Sequence, residues 1–218
     1  MPRRIIHTDL EVIAGEQTTE DYLKMQKRLG RFYLKRFLRL LADQGKTGRF
    51  LEIGPGPGYQ TAKVAEKSPE SQIFAVEASA DIIAVAQSYI KKRGLSDSVR
   101  FVEGAVEDEG LIKDLGKFDL IYSSFSLHHW KNPVKAFQNL YRALKDDGVL
   151  LIYDLERHWL TYYLPIRRGI VESVRASYTP KELSAMMAEL NMQNYQVQRH
   201  FPYLSILVRK GAGAELSS

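Results

Sequence analysis

Hydrophobic and polar positions change their spacing in a regular way along this chain. Over residues 18–42 the apolar positions recur every three or four residues, which predicts an amphipathic helix. From residue 49 onward, short apolar runs of strand length alternate with segments of helical period. This alternation is typical of a parallel β-sheet whose two faces are covered by helices.

The individual elements can be assigned from these periods and from the turn residues between them. Strands are predicted at residues 49–53, 72–76, 99–102, 118–122, 149–153, 193–198 and 203–208. Helices are predicted at residues 59–67, 79–92, 109–115 and 133–145, and again from Pro180, with Thr179 as the capping residue. The last two strands are separated by residues 199–202 only, a gap that suits an antiparallel hairpin but is too short for a helical crossover. The pattern predicts an α/β fold: a Rossmann-like three-layer sandwich with a mostly parallel seven-stranded sheet that ends in an antiparallel hairpin.

Composition and charge exclude several functional classes. The net charge of +5 on 218 residues falls short of a nucleic-acid-binding signature. The chain contains no cysteine, which excludes disulfides, thiolate zinc sites and cysteine nucleophiles. No apolar run approaches the ~18 residues of a membrane span, and residues 1–10 contain no apolar stretch of signal-peptide length. We therefore expect a cytoplasmic protein without a membrane span.

A glycine-rich loop follows the first predicted strand directly. Gly54, Gly56 and Gly58 stand at alternate positions, where a backbone without Cβ atoms can turn tightly and approach a ligand. A dinucleotide fingerprint requires glycine or alanine at the position that Tyr59 occupies. Both residues between the glycines are prolines, which lack the N–H groups that a phosphate cradle needs. The loop therefore suits a ligand without a pyrophosphate.

The run Leu-Glu-Ile-Gly-Pro-Gly-Pro-Gly at residues 51–58 resembles motif I of the class I S-adenosylmethionine-dependent methyltransferases. The resemblance implies that the cofactor is S-adenosylmethionine and that its product is S-adenosylhomocysteine. It also implies that Glu52 helps to hold the methionine ammonium of the cofactor, a cation for which a carboxylate is suited. In the same way, Gly54, Gly56 and Gly58 would let the backbone pass close to the cofactor. The alternative is a structural turn in which Glu52 forms an ordinary ion pair.

Two further positions are in register with the cofactor motifs of that family. Glu77 ends the second strand, 19 positions after the last glycine of the loop, and an acid there can accept both hydroxyls of a ribose. The resemblance implies that Ala78 and Ser79 flank the adenine. After the third strand, the backbone of Ala105 and Val106 is expected beside the adenine, because alanine replaces the acid that similar enzymes often place there. The alternative for Glu77 is a helix-capping acid.

The exit of the fourth strand is the most informative stretch for the substrate class. Its sequence, from Ser123 and Ser124 to His128, His129 and Trp130, closely resembles the small-molecule branch that includes the ubiquinone and menaquinone biosynthesis methyltransferases. This resemblance implies a small-molecule methyl acceptor, and it assigns Ser123 and Ser124 to the cofactor side. The Asn-Pro-Pro-Tyr type of motif used on nucleic-acid amines and glutamine amides is absent, so nucleic acid is not an expected partner. The two serines occupy the place of a magnesium-binding acid cluster, and no metal is expected.

The paired histidines are the candidates for a catalytic base. His128 and His129 follow a strand whose carboxyl end faces the cofactor, and imidazole titrates near neutral pH. Methyl transfer from a sulfonium is an in-line displacement with a neutral leaving group, so alignment of the reactants contributes more than any single base. The alternative is that both histidines only form local hydrogen bonds where a helix begins.

The acceptor side is assigned to aromatic and basic residues after the fifth strand, with Tyr22 of the first helix closing the other side. These residues are Arg157, Trp159, Tyr162, Tyr163, Arg167, Arg168 and Arg175. They are suited to an aromatic or acidic acceptor. A solvated basic face above a hydrophobic cap explains the same residues.

We interpret residues 1–218 as a single methyltransferase domain with four parts. Residues 1–48 form an N-terminal helical cap, 49–154 the cofactor-binding core, 155–178 a variable substrate-side segment, and 179–210 the final helix and the antiparallel strands. Three other functions share parts of this pattern: an NAD-linked oxidoreductase, a non-catalytic S-adenosylmethionine-binding protein and an RNA methyltransferase. The oxidoreductase requires a small residue at the position of Tyr59. The modest net charge gives little support to an RNA methyltransferase.

Overall fold

The structure is a computed structural model that describes residues 3–5, 23–24, 30, 34–163 and 168–213. Seven strands form one sheet: β1 Arg49–Ile53, β2 Gln72–Glu77, β3 Val99–Glu103, β4 Phe118–Ser124, β5 Leu144–Leu155, β6 Tyr195–His200 and β7 Tyr203–Arg209. Their order is β3-β2-β1-β4-β5-β7-β6, with β1 to β5 parallel and β7 antiparallel to both of its neighbours. The predicted fold, a mostly parallel seven-stranded sheet that ends in an antiparallel hairpin, is confirmed.

The helices connect these strands on both faces of the sheet. They are α1 Tyr59–Lys67, α2 Ala80–Lys92, α3 Glu109–Asp114, α4 Pro133–Ala143, α5 Trp159–Tyr162, α6 Arg168–Ala176 and α7 Pro180–Glu189, with a 3-10 turn at Leu127–His129. Residues 34–42 are also helical. Among the described residues, no helix has the length and apolar character needed to cross a membrane.

The central strands bury side chains on both faces because helices cover both faces. Phe50 and Leu51 are adjacent in β1 and fully buried, yet they belong to two different hydrophobic clusters. One cluster packs the sheet against α4 and α7 through residues such as Phe137. The other packs it against residues 34–42, α1 and α2 through residues such as Phe37. Successive strand residues point to opposite faces, so every position of β1 except the first is buried.

Several helices begin where local hydrogen bonds satisfy their first N–H groups. The Ser79 side chain accepts from the Ile82 N–H at the start of α2. Thr179 and Glu182 form a reciprocal capping box at the start of α7, and Pro180 is its first residue. The sequence therefore predicted the start of α7 correctly.

The structure differs from the sequence prediction around β5. The predicted helix 133–145 ends at Ala143, and β5 begins at Leu144, earlier than the predicted residue 149. The pairing of β5 with β4 shifts register after Leu144, where Asp147 adopts a left-handed φ of 59°. Residues 155–178, for which the sequence analysis predicted a variable segment and no helix, include α5 and α6. Helix α6 packs against the 3-10 turn that follows β4, a tertiary contact that the local sequence does not contain.

Candidate functional site

The glycine loop lies at the carboxyl edge of the sheet, where β1, β2 and β4 end side by side. Gly54, Gly56 and Gly58 have φ values of 68°, 55° and 82°, in the left-handed region that glycine adopts most readily. A Cβ atom on Gly54 would lie 2.3 Å from Ser126 Oγ. The conformation and the close packing both require glycine at the tip of β1.

The backbone N–H groups of this loop are already used within the protein. Gly54 N donates to Val76 O at 2.9 Å, and Gly58 N donates to Pro55 O at 3.3 Å. Gly56 N donates to Glu77 Oε2 at 3.2 Å, and the two remaining residues are prolines. Residues 54–58 therefore offer no free N–H group to a pyrophosphate, which is the feature that a dinucleotide site would need.

Glu77 connects the end of β2 to the glycine loop. Besides the bond from Gly56, its Oε1 accepts from the Ala78 N–H at 2.9 Å. Burial raises the pKa of the Glu77 carboxyl, and the hydrogen bonds from the surrounding backbone lower it. The carboxylate is thus held at the edge of the loop, beside the exposed Ala78 and the half-buried Ser79. Their roles toward a cofactor remain predictions.

Glu52 lies beneath the loop rather than at its surface. Its side chain is fully buried and accepts from Gln60 Nε2 and from Tyr122 OH, both at 3.2 Å. Burial raises the pKa of Glu52 to about 7, although the hydrogen bonds from Tyr122 and Gln60 oppose that shift. A direct contact between Glu52 and the cofactor remains a prediction.

The two serines at the end of β4 have buried hydroxyl groups with partners inside the protein. Ser123 Oγ donates to Ile53 O at 2.8 Å, and Ser124 Oγ donates to Gln60 Oε1. They fasten the end of β4 to β1 and α1. Cofactor binding by Ser123 and Ser124 remains a prediction, because their hydroxyl groups bond only to other parts of the protein.

The adenine side that the sequence predicted lies beyond the end of β3. Ala105 is exposed, whereas Val106 is buried and its carbonyl accepts from Asn139 Nδ2 at 3.0 Å. Gly104 N donates to Glu77 O at 3.0 Å, which places this turn next to the end of β2. The turn is therefore adjacent to Glu77, and its contact with adenine stays a prediction.

His128 is held by a carboxylate that the sequence analysis did not assign to the site. Its Nδ1 lies 2.8 Å from Asp154 Oδ1, and its backbone N–H donates to Asp154 Oδ2 at 3.0 Å. Both side chains are only 3% exposed. This pairing places the proton of a neutral imidazole on Nδ1 and leaves Nε2 as the acceptor.

His129 lies beside this pair but differs from it in environment. The two imidazole rings are 4.0 Å apart between centroids, and part of the His129 side chain reaches solvent. Partial burial, followed by the neighbouring His128, lowers the pKa of His129 to about 4. His129 is therefore neutral at pH 7 and a weak base.

The predicted acceptor residues separate into exposed and buried groups. Trp159 and Tyr163 are 57% and 70% exposed, whereas Tyr162 and Arg157 are buried. The Arg175 guanidinium lies 5.1 Å from the centre of the Tyr162 ring. Tyr22, Arg167 and the side chain of Arg168 lie outside the described residues.

The sequence analysis missed Asp154, Tyr122, Gln60 and Arg4 as parts of this region. Asp154 follows the same rule as Glu77, since it stands near the carboxyl end of a strand. Tyr122 lies within an apolar run, and Arg4 is far from the site in sequence. Of these residues, only Asp154 could have been found from the sequence, through its place near the end of a predicted strand.

A scan against protein-family models matches residues 51–152 to a family described as a methyltransferase domain. The matched segment begins in β1, contains the glycine loop and ends in β5, so it covers the region built above. Residues 51–152 of this chain therefore match a methyltransferase domain. The sequence-based assignment to this class is thereby confirmed.

Curated relatives match between about half and about two thirds of this chain. An uncharacterized methyltransferase of Bacillus subtilis, YcgJ, is 31% identical over 106 residues, which is 49% of this chain and 40% of the relative. A demethylmenaquinone methyltransferase of Thermus thermophilus is 26% identical over 170 residues, 68% of this chain and 76% of the relative. The chain spans between a quarter and a half of the length of most curated relatives that it matches.

Solved structures share the complete fold at low sequence identity. A structure from Methanococcus maripaludis, described as an S-adenosylmethionine-dependent methyltransferase, superposes with a TM-score of 0.73 at 18% identity, covering 95% of this chain and 98% of that one. PigF with SAH gives a TM-score of 0.74 at 17% identity, covering 91% of this chain and 61% of PigF. At this identity, the likeness shows the fold of the methyltransferase domain.

Proposed function

We propose that this chain is an S-adenosylmethionine-dependent methyltransferase that acts on a small-molecule acceptor. The observation that carries the proposal is the loop at residues 54–58, where three left-handed glycines form a cradle whose N–H groups are already used. S-adenosylmethionine fits such a loop because it is cationic and has no phosphate to be held. Structures of the same fold with SAH, such as PigF, support this choice of ligand.

The cofactor would lie along the carboxyl ends of β1, β2 and β4. Each carboxylate oxygen has two lone pairs, so Glu77 can accept from ribose hydroxyls while it keeps its bonds from Gly56 and Ala78. Ser79, Ala105 and Val106 are the proposed border of the adenine. When bound, S-adenosylmethionine supplies an electrophilic methyl group on a positively charged sulfur.

Glu52 would act from beneath the loop. Its pKa of about 7 means that near neutral pH the buried carboxyl holds its proton part of the time. A cation close to the loop would favour the ionised form, and ionised Glu52 would in turn favour the cation. Gln60, Ser123 and Ser124 would hold the walls of this pocket in place through their buried hydrogen bonds.

His128 is the proposed base, with Asp154 as its positioning residue. Asp154 fixes the proton on Nδ1, so Nε2 is free to receive a proton from an O–H or N–H group of the acceptor. His129, whose pKa is lowered to about 4, is a weak base. The exposed rings of Trp159 and Tyr163 are the proposed contacts for an aromatic or acidic acceptor.

Calorimetric titration with S-adenosylhomocysteine tests the cofactor site. We expect Glu77→Ala to lose about 1.5 to 3 kcal/mol of binding free energy, or about 10-fold to 150-fold in affinity, without unfolding. The matched control is Glu103→Ala, because Glu103 is the parallel-register partner of Glu77 on β3 and is exposed. Unchanged affinity in Glu77→Ala would remove that residue from the site. Stabilisation by NAD but not by S-adenosylhomocysteine would overturn the proposed function.

A further inference from the structure

Basic and aromatic side chains gather beyond the carboxyl end of β5. We call this group the arginine cluster, and its members are Arg4, Arg157, Arg175 and Tyr178. The Arg4 guanidinium lies 4.0 Å from the centre of the Tyr178 ring, and Arg4 Nε donates to Ala176 O at 2.6 Å. Arg157 is 2% exposed, and its backbone N–H donates to Tyr178 O at 3.1 Å. Three separate parts of the chain therefore meet here.

The arginine cluster contains an unusual number of buried donors without acceptors. Within the part of the chain that the structure describes, these are Nε and Nη1 of Arg157, Nη2 of Arg4, Nε of Arg175 and the hydroxyl of Tyr178. A buried donor without a partner loses its hydrogen bonds to water and gains nothing in exchange. Several such donors in one place indicate an acceptor that none of the described residues supplies.

The charges in this region are also unbalanced. Glu182 is paired with Arg157 through Nη2 only, and Asp154 is occupied by His128. No ion pair to a carboxylate is formed by Arg4 or Arg175 among the described residues. Since Glu156 is paired with Arg199, the neighbouring carboxylates leave Arg4 and Arg175 without an ion-pair partner within the described part of the chain.

The arginine cluster adjoins the proposed catalytic pair. Arg157 follows Asp154 by three residues along the chain, and its backbone N–H donates to Tyr178 O, so the cluster begins where the strand that carries Asp154 ends. Helix α6, which carries Arg175, packs against the turn that contains His128. A small molecule bound to the cluster can therefore present another of its atoms to His128.

We propose that the arginine cluster binds a carboxylate of the methyl acceptor, so that the substrates are small carboxylic acids. This inference rests on the proposed function and specifies its substrate class. Planar guanidinium groups of Arg4 and Arg157 match the two oxygens of a carboxylate, and the Tyr178 hydroxyl adds a further donor. Glu182 is paired with Arg157, and Asp154 lies three residues before Arg157, so a monoanion is favoured over a phosphate dianion.

Residues 3–5, which include Arg4, are bonded to the segments that carry the other members of the arginine cluster. Ile5 N donates to Arg175 O at 3.1 Å, and Tyr162 OH donates to Arg3 O at 3.2 Å. Since Arg157 is almost completely enclosed, a carboxylate reaches it only when Arg4 and its neighbours move aside. Once bound, the carboxylate would attract Arg4 and hold these residues against the rest of the protein.

The test is a titration with simple carboxylates and their uncharged analogues, with and without saturating S-adenosylhomocysteine. The probes are acetate, butyrate and benzoate, each compared with its own amide, and inorganic phosphate. We expect the acids to raise the melting temperature and the amides to have no effect. Arg157→Gln should weaken carboxylate binding by about 10-fold, whereas Arg142→Gln, which changes an exposed arginine on α4, should not.

Tyr178→Phe keeps the test decisive if Arg157→Gln does not fold. Removal of a buried hydroxyl that has no partner should leave the protein folded and at least as stable. Its carboxylate affinity should nevertheless fall by about 3-fold to 10-fold. Equal effects of acids and amides, tighter binding of phosphate, or unchanged affinity in Tyr178→Phe would each overturn the inference. If S-adenosylhomocysteine binds and no carboxylate does, only this inference fails, and the cofactor assignment stands.

Discussion

The two halves of the carboxyl edge are built in different ways. On the cofactor side, residues close together in sequence form the glycine loop, and most polar groups satisfy one another, as Glu77 and Gly56 do. On the proposed acceptor side, segments as distant as Arg4 and Tyr178 meet, and several buried donors lack partners among the described residues. The first half is thus satisfied by its own hydrogen bonds, whereas the second keeps donors that the proposed carboxylate would satisfy.

The largest expected effect is at Asp154, on the boundary between the two halves. Asp154→Ala removes the acceptor of the His128 N–H, the His128 ring and the Leu155 N–H, all of them in the interior or at its edge. We expect a loss of about 3–5 kcal/mol in the free energy of unfolding, measured by urea denaturation. Asp119→Ala is the control, since Asp119 is a partly exposed acid on β4, and its loss should cost about 1 kcal/mol. Equal losses would show that Asp154 is no more structural than a surface acid.

The second prediction concerns the dependence of stability on pH at Glu52. Because burial raises its pKa from 4.5 to about 7, the folded protein keeps a proton that the unfolded chain has already lost in this range. The free energy of unfolding should therefore fall by about 3 kcal/mol as pH rises from 4.5 to 7.

The variant Glu52→Gln isolates this contribution, because a glutamine at the same place cannot titrate. Urea denaturation at several pH values should show a flatter profile for the variant than for the wild type over pH 4.5 to 7. Identical slopes would mean that Glu52 is ionised throughout, and that its charge is compensated by groups other than Gln60 and Tyr122.

A smaller effect is expected when a Cβ atom is added to the glycine loop at Gly54. Gly54→Ala and Gly45→Ala place alanine at similar φ values, 68° and 60°, but only the first meets another side chain, Ser126. We expect losses of about 2 kcal/mol and about 1 kcal/mol, respectively, in the free energy of unfolding. Affinity for S-adenosylhomocysteine, measured by calorimetry, should fall about 10-fold or more in Gly54→Ala alone. If both variants bind the ligand equally, the loop is a structural turn.

The smallest effect is expected away from both halves. Arg142 and Glu109 form an ion pair in which both side chains are about half exposed. Arg142→Gln should change the free energy of unfolding by less than about 0.5 kcal/mol. A larger change under the same urea conditions would mean that exposed ion pairs also contribute strongly to the free energy of unfolding. The large effect expected at Asp154 would then not be specific to its buried position.

Local sequence patterns predicted the structure correctly where residues close together in the chain determine it. The bounds of β1 and α1, the cap at Thr179 and the glycine positions follow from spacing, turn chemistry and backbone freedom. Helix α6 was missed because its buried face becomes apparent only through its contact with the turn after β4.

The same distinction holds in the candidate site. The sequence alone determined the glycine loop, the acids at strand ends and the paired histidines, because each is a short motif tied to one strand. Only the tertiary structure decided that Glu52 is enclosed by Gln60 and Tyr122, that the Asp154 carboxylate pairs with His128, and that Arg4 reaches Tyr178. These facts depend on burial and on contacts between distant segments, which hydrophobic periodicity does not encode.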